Sequence, residues 1–308
     1  MSWPGCNYAE STEGRVACDR RGISEMVNAA LRAGITLFDT AEAYGLGLAE
    51  ELLGEALKSL GQRSAAAIVT KVGPVFDRSG RPIENQQFLT RRRIFDCCEA
   101  SLRRLQSDWI DLYLLHRPDP ETPIAESIAA LVELQQQGKI RAFGVSNFDA
   151  EQLTGALEQG SVSADQVPYN LIERGIEHQL RPLCSARQVG IMAYSPLGKG
   201  ILSGKYDTGR LPAPQDYRHR QFQFLRENLP RHLAVARRCA EWAVELGVTP
   251  SQLALAWCLA QPGIAAVLPG AKGPSQVREN ALAGDLFLQP AVTEALSRLS
   301  KESLVADA

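Results

Sequence analysis

The stretch between residues 108 and 147 decides the reading of the chain. It opens with Ile110-Asp111-Leu112-Tyr113-Leu114-Leu115-His116, a short apolar run with a polar end. A segment of helical periodicity follows at 123–137, and then a second apolar run, Ile140-Arg141-Ala142-Phe143-Gly144-Val145-Ser146. A helix of that length between two such runs is the crossover that a parallel strand pair requires. Thr122 stands where a helix cap is needed, Pro123 at the first turn and Glu126 a turn later. Gly138 follows the helix, where left-handed backbone favours glycine.

The alternation extends outward in both directions. Strands are expected at 35–39, 66–71, 110–116, 140–146, 165–169, 190–194 and 265–269. Helices are expected at 24–33, 49–60, 90–105, 123–137, 150–159, 179–187, 229–246, 251–261 and 275–283. Thr249-Pro250 repeats the start signal, and Gly34, Gly61 and Gly160 repeat the stop. The strand runs are continuously apolar, as in parallel sheets buried on both faces. Such a sheet is doubly wound or closed into a barrel. No G-x-G-x-x-G turn follows the first strand, since Gly45-Leu46-Gly47 is only a fragment of one, so the barrel is expected. The reading is one domain over 1–308, with its longest irregular stretch at 198–228, where a functional loop is expected.

Composition narrows the function. The 33 basic and 35 acidic residues nearly cancel, which disfavours a nucleic-acid or anionic-membrane partner. No apolar run approaches the ~18 residues of a membrane span, and the N-terminus does not read as a signal peptide. Seven cysteines without a C-x-x-C pair read as reduced thiols in a cytoplasmic protein. The four histidines have no ligand-like spacing, so no metal is expected.

In a parallel barrel the site lies at the C-terminal strand ends. Those ends are polar: Asp39, Lys71, His116, Ser146-Asn147, Gln166 and Tyr194. Each alone has a bland reading as a cap, a solvated lysine, or a core histidine or aromatic. Ionisable groups at three buried strand ends argue for pairing or chemistry instead. Tyr44 follows Asp39 by five residues, on a loop able to fold over the barrel mouth.

Several motifs carry a family resemblance. Residues 34–45, Gly34-Ile35-Thr36-Leu37-Phe38-Asp39-Thr40-Ala41-Glu42-Ala43-Tyr44-Gly45, closely resemble the first signature of the aldo-keto reductases. Val69-Thr70-Lys71-Val72-Gly73 resembles their lysine segment, and the run ending at His116 their histidine strand. Gly144-Val145-Ser146-Asn147-Phe148, Gln166-Val167-Pro168-Tyr169-Asn170, Ala193-Tyr194-Ser195-Pro196-Leu197-Gly198-Lys199-Gly200 and Val267-Leu268-Pro269-Gly270-Ala271 continue the series. The resemblance covers residues 22–299. It implies an α/β, TIM-type (β/α)8 barrel that moves hydride between a nicotinamide cofactor and the carbonyl of a small-molecule aldehyde or ketone.

The resemblance further implies that Tyr44 is the general acid, Lys71 lowers its pKa, Asp39 holds Lys71, and His116 orients the carbonyl. A phenol with pKa near ~10 is a weak acid at neutral pH, and a neighbouring ammonium lowers it. By the same resemblance Ser146, Asn147 and Gln166 hold the carboxamide, and Tyr194 stacks on the nicotinamide. Ser195, Leu197, Gly198 and Gly200 wrap the pyrophosphate. Gly270, Lys272, Gln276, Glu279 and Asn280 lie along the adenosine end. NADP(H) is the expected cofactor, with NAD(H) as the alternative, because many members carry Lys-Ser where this chain has Gly270-Ala271. Arg278 is read as facing solvent. The N-terminal hairpin and most of the first strand are missing from the pattern, so residues 1–20 are expected to be irregular and the sheet to show seven regular strands. Trp3, Tyr8, residues 75–88, 116–120 and 198–228, with Phe76 and Tyr217 among them, are candidates for specificity. Two further readings are a cofactor-binding regulatory barrel resembling potassium-channel β subunits, and a Schiff-base lyase using Lys71. Asp39 argues against the lyase because a nucleophilic lysine must be neutral. Oligomeric state is open.

Overall fold

The computed structural model describes residues 20–73 and 88–305, with backbone alone for 302–305. Helix α1 (Arg20–Arg32) precedes β1 (Leu37–Asp39), followed by α2 (Leu48–Ser59), β2 (Ala67–Val72), α3 (Arg91–Leu105) and β3 (Ile110–Leu115). Then come α4 (Ile124–Gln136), β4 (Ile140–Ser146), α5 (Ala150–Gln159), β5 (Ala164–Pro168), α6 (Leu180–Ala186) and β6 (Gly190–Tyr194). The chain continues through α7 (Leu229–Glu245), α8 (Pro250–Leu259), β7 (Ile264–Leu268), α9 (Pro274–Ala281) and α10 (Pro290–Val305). Each strand pairs in parallel with the next in sequence, so the described sheet runs β1 to β7 in order. This is the α/β barrel arrangement, with seven strands among the described residues.

Strand periodicity sorts the side chains. Val69, Leu114, Ala164, Met192 and Leu268 pack together as one inner layer. Their neighbours Ile68, Tyr113, Leu115, Val167 and Ile191 point outward into the core shared with the helices. Both faces are buried, which accounts for the continuous apolar runs. Gly144 sits where a Cβ would stand 2.4 Å from the Ala164 carbonyl oxygen and 2.8 Å from Leu114 Cδ2. A second cluster, including Tyr169, Phe224, Val235, Trp257 and Leu296, packs α7, α8 and α10 together.

Local signals succeed and fail for identifiable reasons. Thr249 caps α8 in a full capping box with Gln252, and Asp149 caps α5 in the same way with Gln152. Thr122 does not cap α4, whose N-cap is Pro123. Its hydroxyl instead donates to Asp119 Oδ2 at 2.7 Å, a carboxylate that also accepts the Phe88 and Leu89 backbone N–H groups. Gly34, Gly61 and Gly138 adopt left-handed backbone, but Gly160 is extended. Its small size answers packing, since a Cβ would lie 2.7 Å from Ile128 Cγ2. The 198–228 stretch contains three short turns of 3-10 helix, Gly198–Ser203, Tyr217–Arg220 and Phe222–Phe224.

The irregular reading of 1–20 is corrected at Arg20, where α1 begins. Residues 1–19, including Trp3 and Tyr8, and residues 74–87, including Phe76, lie outside the described residues. The expected loss of the first strand and hairpin falls there too. The five described cysteines are buried and free, and no described helix is long and apolar enough to cross a membrane.

Candidate active site

The inward alternation ends in polar residues at the C-terminal mouth of the sheet. Lys71 is fully buried on β2. Its Nζ donates to Asp39 Oδ1 at 2.7 Å and to the Thr40 carbonyl at 2.7 Å. Gln166, on β5 across the mouth, donates through Nε2 to the same Asp39 oxygen at 2.7 Å. Burial pulls the Lys71 ammonium down, but attraction to Asp39 and Tyr44 outweighs it and leaves its pKa above the usual value. Lys71 is therefore charged at neutral pH.

Tyr44 folds back from the loop after β1, and Lys71 Nζ lies 5.1 Å from its ring centroid. Burial raises the phenol pKa, Lys71 lowers it and Asp39 raises it, leaving it above 10. Lys71 acts in the expected direction, and desolvation is the larger effect. His116 follows β3, its ring edge-on to Tyr44 at 6.0 Å between centroids. Burial, then Lys71 and Arg117, hold its pKa well below the usual value, so the imidazole is neutral. His116 Nδ1 is buried without a hydrogen-bond partner among the described residues.

A second set of groups adjoins these. Ser146 Oγ donates to the Gln166 carbonyl at 2.8 Å, and Asn147 Nδ2 donates to Ser146 Oγ and to the His116 carbonyl, each at 3.0 Å. Tyr194 Oη donates to Asn147 Oδ1 at 2.8 Å, and burial pushes that phenol up to about 12. Asn147 is left-handed, φ 61°, a conformation asparagine tolerates better than most residues. The turn leaving β6 is left-handed at Ser195, Gly198, Lys199 and Gly200, and Leu197 is half-buried beside it. At Gly200 a Cβ would meet Lys205 Cε and Nζ at 2.7 Å.

The remaining expected residues gather near the start of α9. Gln276 Oε1 accepts the Lys272 backbone N–H at 2.8 Å, Asn280 Nδ2 donates to the Gly270 carbonyl at 3.5 Å, and Glu279 Oε1 accepts from Thr249 Oγ1 at 3.0 Å. Lys272 and Arg278 are exposed. The structure adds residues that the sequence reading did not assign. Lys199 Nζ lies 6.0 Å from the Tyr194 ring centroid, and burial lowers its pKa. Lys205 is lowered by burial, then by Arg218 and Lys272. Three cations from separate segments thus converge, and Arg218 pairs with Asp216. Lysines interleaved with glycines at 198–205 were the available signal.

These residues fit a nicotinamide dinucleotide on two observations. Lys205, already disfavoured as a cation by burial, also feels the positive charges of Arg218 and Lys272, with Asp216 partly offsetting them, which suits an anionic phosphate. Gly200 is left-handed (φ 100°), a conformation that favours glycine, and a side-chain-free backbone there can lie against such a group beside the Lys205 ammonium.

Known proteins resemble this chain over most of its length. The aldo/keto reductase family model matches residues 10–301. The NADH-specific methylglyoxal reductase of Escherichia coli is 35% identical over 91% of this chain and 90% of its own. A probable voltage-gated potassium channel subunit beta of Arabidopsis thaliana is 34% identical over 86% of this chain and 83% of its own. The glycerol dehydrogenase structure from Gluconobacter oxydans superposes with a TM-score of 0.84 at 33% identity, covering 92% of this chain and 86% of that one. The Klebsiella pneumoniae aldo/keto reductase in complex with NADP and acetate gives 0.75 at 31%, covering 97% and 90%. Motifs, barrel and mouth geometry lead to one assignment: this chain belongs to the aldo/keto reductase family of oxidoreductases.

Proposed function

We propose that this protein reduces the carbonyl of a small aldehyde or ketone with NADP(H), reversibly with the alcohol, within one barrel domain. The observation that carries the reading is the buried Lys71–Asp39 pair beneath Tyr44, with neutral His116 beside it. When bound, the cofactor supplies the hydride that adds to the carbonyl carbon. Tyr44 Oη gives its proton to the carbonyl oxygen as negative charge develops there. Its raised pKa keeps that proton in place at neutral pH, and the Lys71 charge favours the phenolate left behind. A neutral His116 donates one ring N–H toward the same oxygen, which fixes its position.

Ser146, Asn147 and Gln166 hold the carboxamide, because amide and hydroxyl groups offer donors and acceptors together. Tyr194 faces the nicotinamide. Ser195, Leu197, Gly198 and Gly200 take the pyrophosphate, with Lys199 and Lys205 supplying charge. Gly270, Lys272, Gln276, Glu279 and Asn280 take the adenosine end. NADP(H) is favoured over NAD(H) by the Lys205, Arg218 and Lys272 cations, although the Escherichia coli relative is named NADH-specific. The buried free cysteines support a reducing, cytoplasmic location.

Tyr44→Phe tests the reading. It keeps NADPH binding, followed by cofactor fluorescence, and lowers kcat for 4-nitrobenzaldehyde by about 10²–10⁴-fold, the usual contribution of a positioned acid. An unchanged kcat overturns it. Absence of turnover in the wild-type protein with intact cofactor binding would favour the regulatory reading, which the potassium-channel relative raises.

A further inference from the structure

Glu42 lies between Asp39 and Tyr44 and has no part in the scheme above. Its side chain is 12% exposed, on the loop after β1. Oε1 accepts from Arg93 Nη2 of α3 at 2.9 Å and from the Gly73 backbone N–H, just after β2, at 3.2 Å. Gly73 in turn lies against His116, close enough that a Cβ would stand 2.6 Å from His116 Cβ. One carboxylate oxygen therefore ties the Tyr44 loop to the residue on which His116 rests. Arg93 anchors the arrangement to α3, whose first turn is capped by Thr90.

Tyr44 and His116 leave different strands, and no direct hydrogen bond joins their side chains among the described residues. Backbone pairing of β1 with β2 ends at Asp39–Val69, before Tyr44 is reached, whereas the His116 N–H still donates to the Val72 carbonyl at 2.8 Å. The sheet thus holds the His116 backbone, while the placement of Tyr44 relative to it is set by contacts of the loop after β1. Oε1 of Glu42 is one such contact: it ties the Tyr44 loop to Gly73, against which His116 packs.

We propose that Glu42 is a positioning residue: through Gly73 and Arg93 it sets Tyr44 relative to His116, so that both meet one carbonyl oxygen. The proposal rests on the catalytic reading of Tyr44 and His116 above. A loop displacement of about 1 Å at reacting groups costs roughly 10²-fold in rate. Glu42→Ala is therefore expected to lower kcat by about 10²-fold, with NADPH affinity by fluorescence and the melting temperature held near wild type. Glu42→Gln retains an oxygen able to accept both hydrogen bonds and is expected to recover most of the rate. Arg93→Ala is expected to fall between them, since the Gly73 contact remains.

A kcat for Glu42→Ala within twofold of wild type overturns the proposal. So does a joint fall of kcat, cofactor affinity and melting temperature, which marks a folding role, and so does a Gln variant no better than Ala. Tyr44→Phe measured alongside separates the two readings. If it also retains turnover, the acid assignment fails. If it is inactive while Glu42→Ala is unimpaired, only the positioning role fails.

Discussion

At the residue scale, Asp165 shows how position outweighs type. It lies on β5 next to Gln166, but its side chain points away from the mouth into the helix layer. It is fully buried, with no side-chain partner for its carboxyl group among the described residues. Burial, with Asp149 adding and the Phe148 backbone opposing, pushes its pKa up to about 8. A carboxyl raised in the folded state contributes stability below its unfolded value near 3.8, lost as pH rises through about 8. The difference sets a ceiling of about 6 kcal/mol on that loss. Asp165→Asn is therefore expected to melt higher than wild type above pH 8, with the gap closing toward pH 5. Thermal melts across that range check it, and parallel curves would refute it. The sequence marks Asp165 only as the residue before Gln166. Its burial is a consequence of packing.

At the element scale, the strands and helices were legible because period and burial agree. Lys71, Gln166 and Tyr194 stand in phase with Val69, Ala164 and Met192, so their facing follows from alternation alone. The misread details are those where another segment intervenes. Asp119 takes the Thr122 hydroxyl from its helix, and Ile128 and Phe143 demand a glycine at 160. Gly144 is the same kind of position on a strand. Gly144→Ala drives a methyl group into the Ala164 carbonyl and is expected to destabilise the barrel by about 1–3 kcal/mol, read from urea denaturation midpoints. An unchanged midpoint would show that β4 and β5 separate freely.

At the scale of the molecule, the barrel gathers cations that are far apart in the chain. Lys205, Arg218 and Lys272 come from two parts of the long loop after β6 and from the segment before α9. If they hold the phosphates, cofactor affinity falls as ionic strength rises, since exposed charges are screened over roughly 10 Å at 0.1 M salt. Lys272→Ala is expected to weaken NADPH more than NADH. Lys205→Ala, beside the glycine turn, is expected to weaken both. Fluorescence titrations with each cofactor at low and high salt measure this, and equal losses for both cofactors in Lys272→Ala would remove it from the 2′-phosphate.

The sequence by itself determined the alternation, the barrel family and the residue types of the proposed tetrad, because these are written in short motifs and in local periodicity. Only the tertiary structure decided what each group experiences. It placed Asp39 between Lys71 and Gln166, residues 127 positions apart at the extreme. It left Tyr44 above its ordinary pKa despite the lysine, and it tied Glu42 on the Tyr44 loop to Gly73, against which His116 packs. Desolvation and hydrogen bonding depend on neighbours contributed by distant segments, and a motif records the side chain without its surroundings.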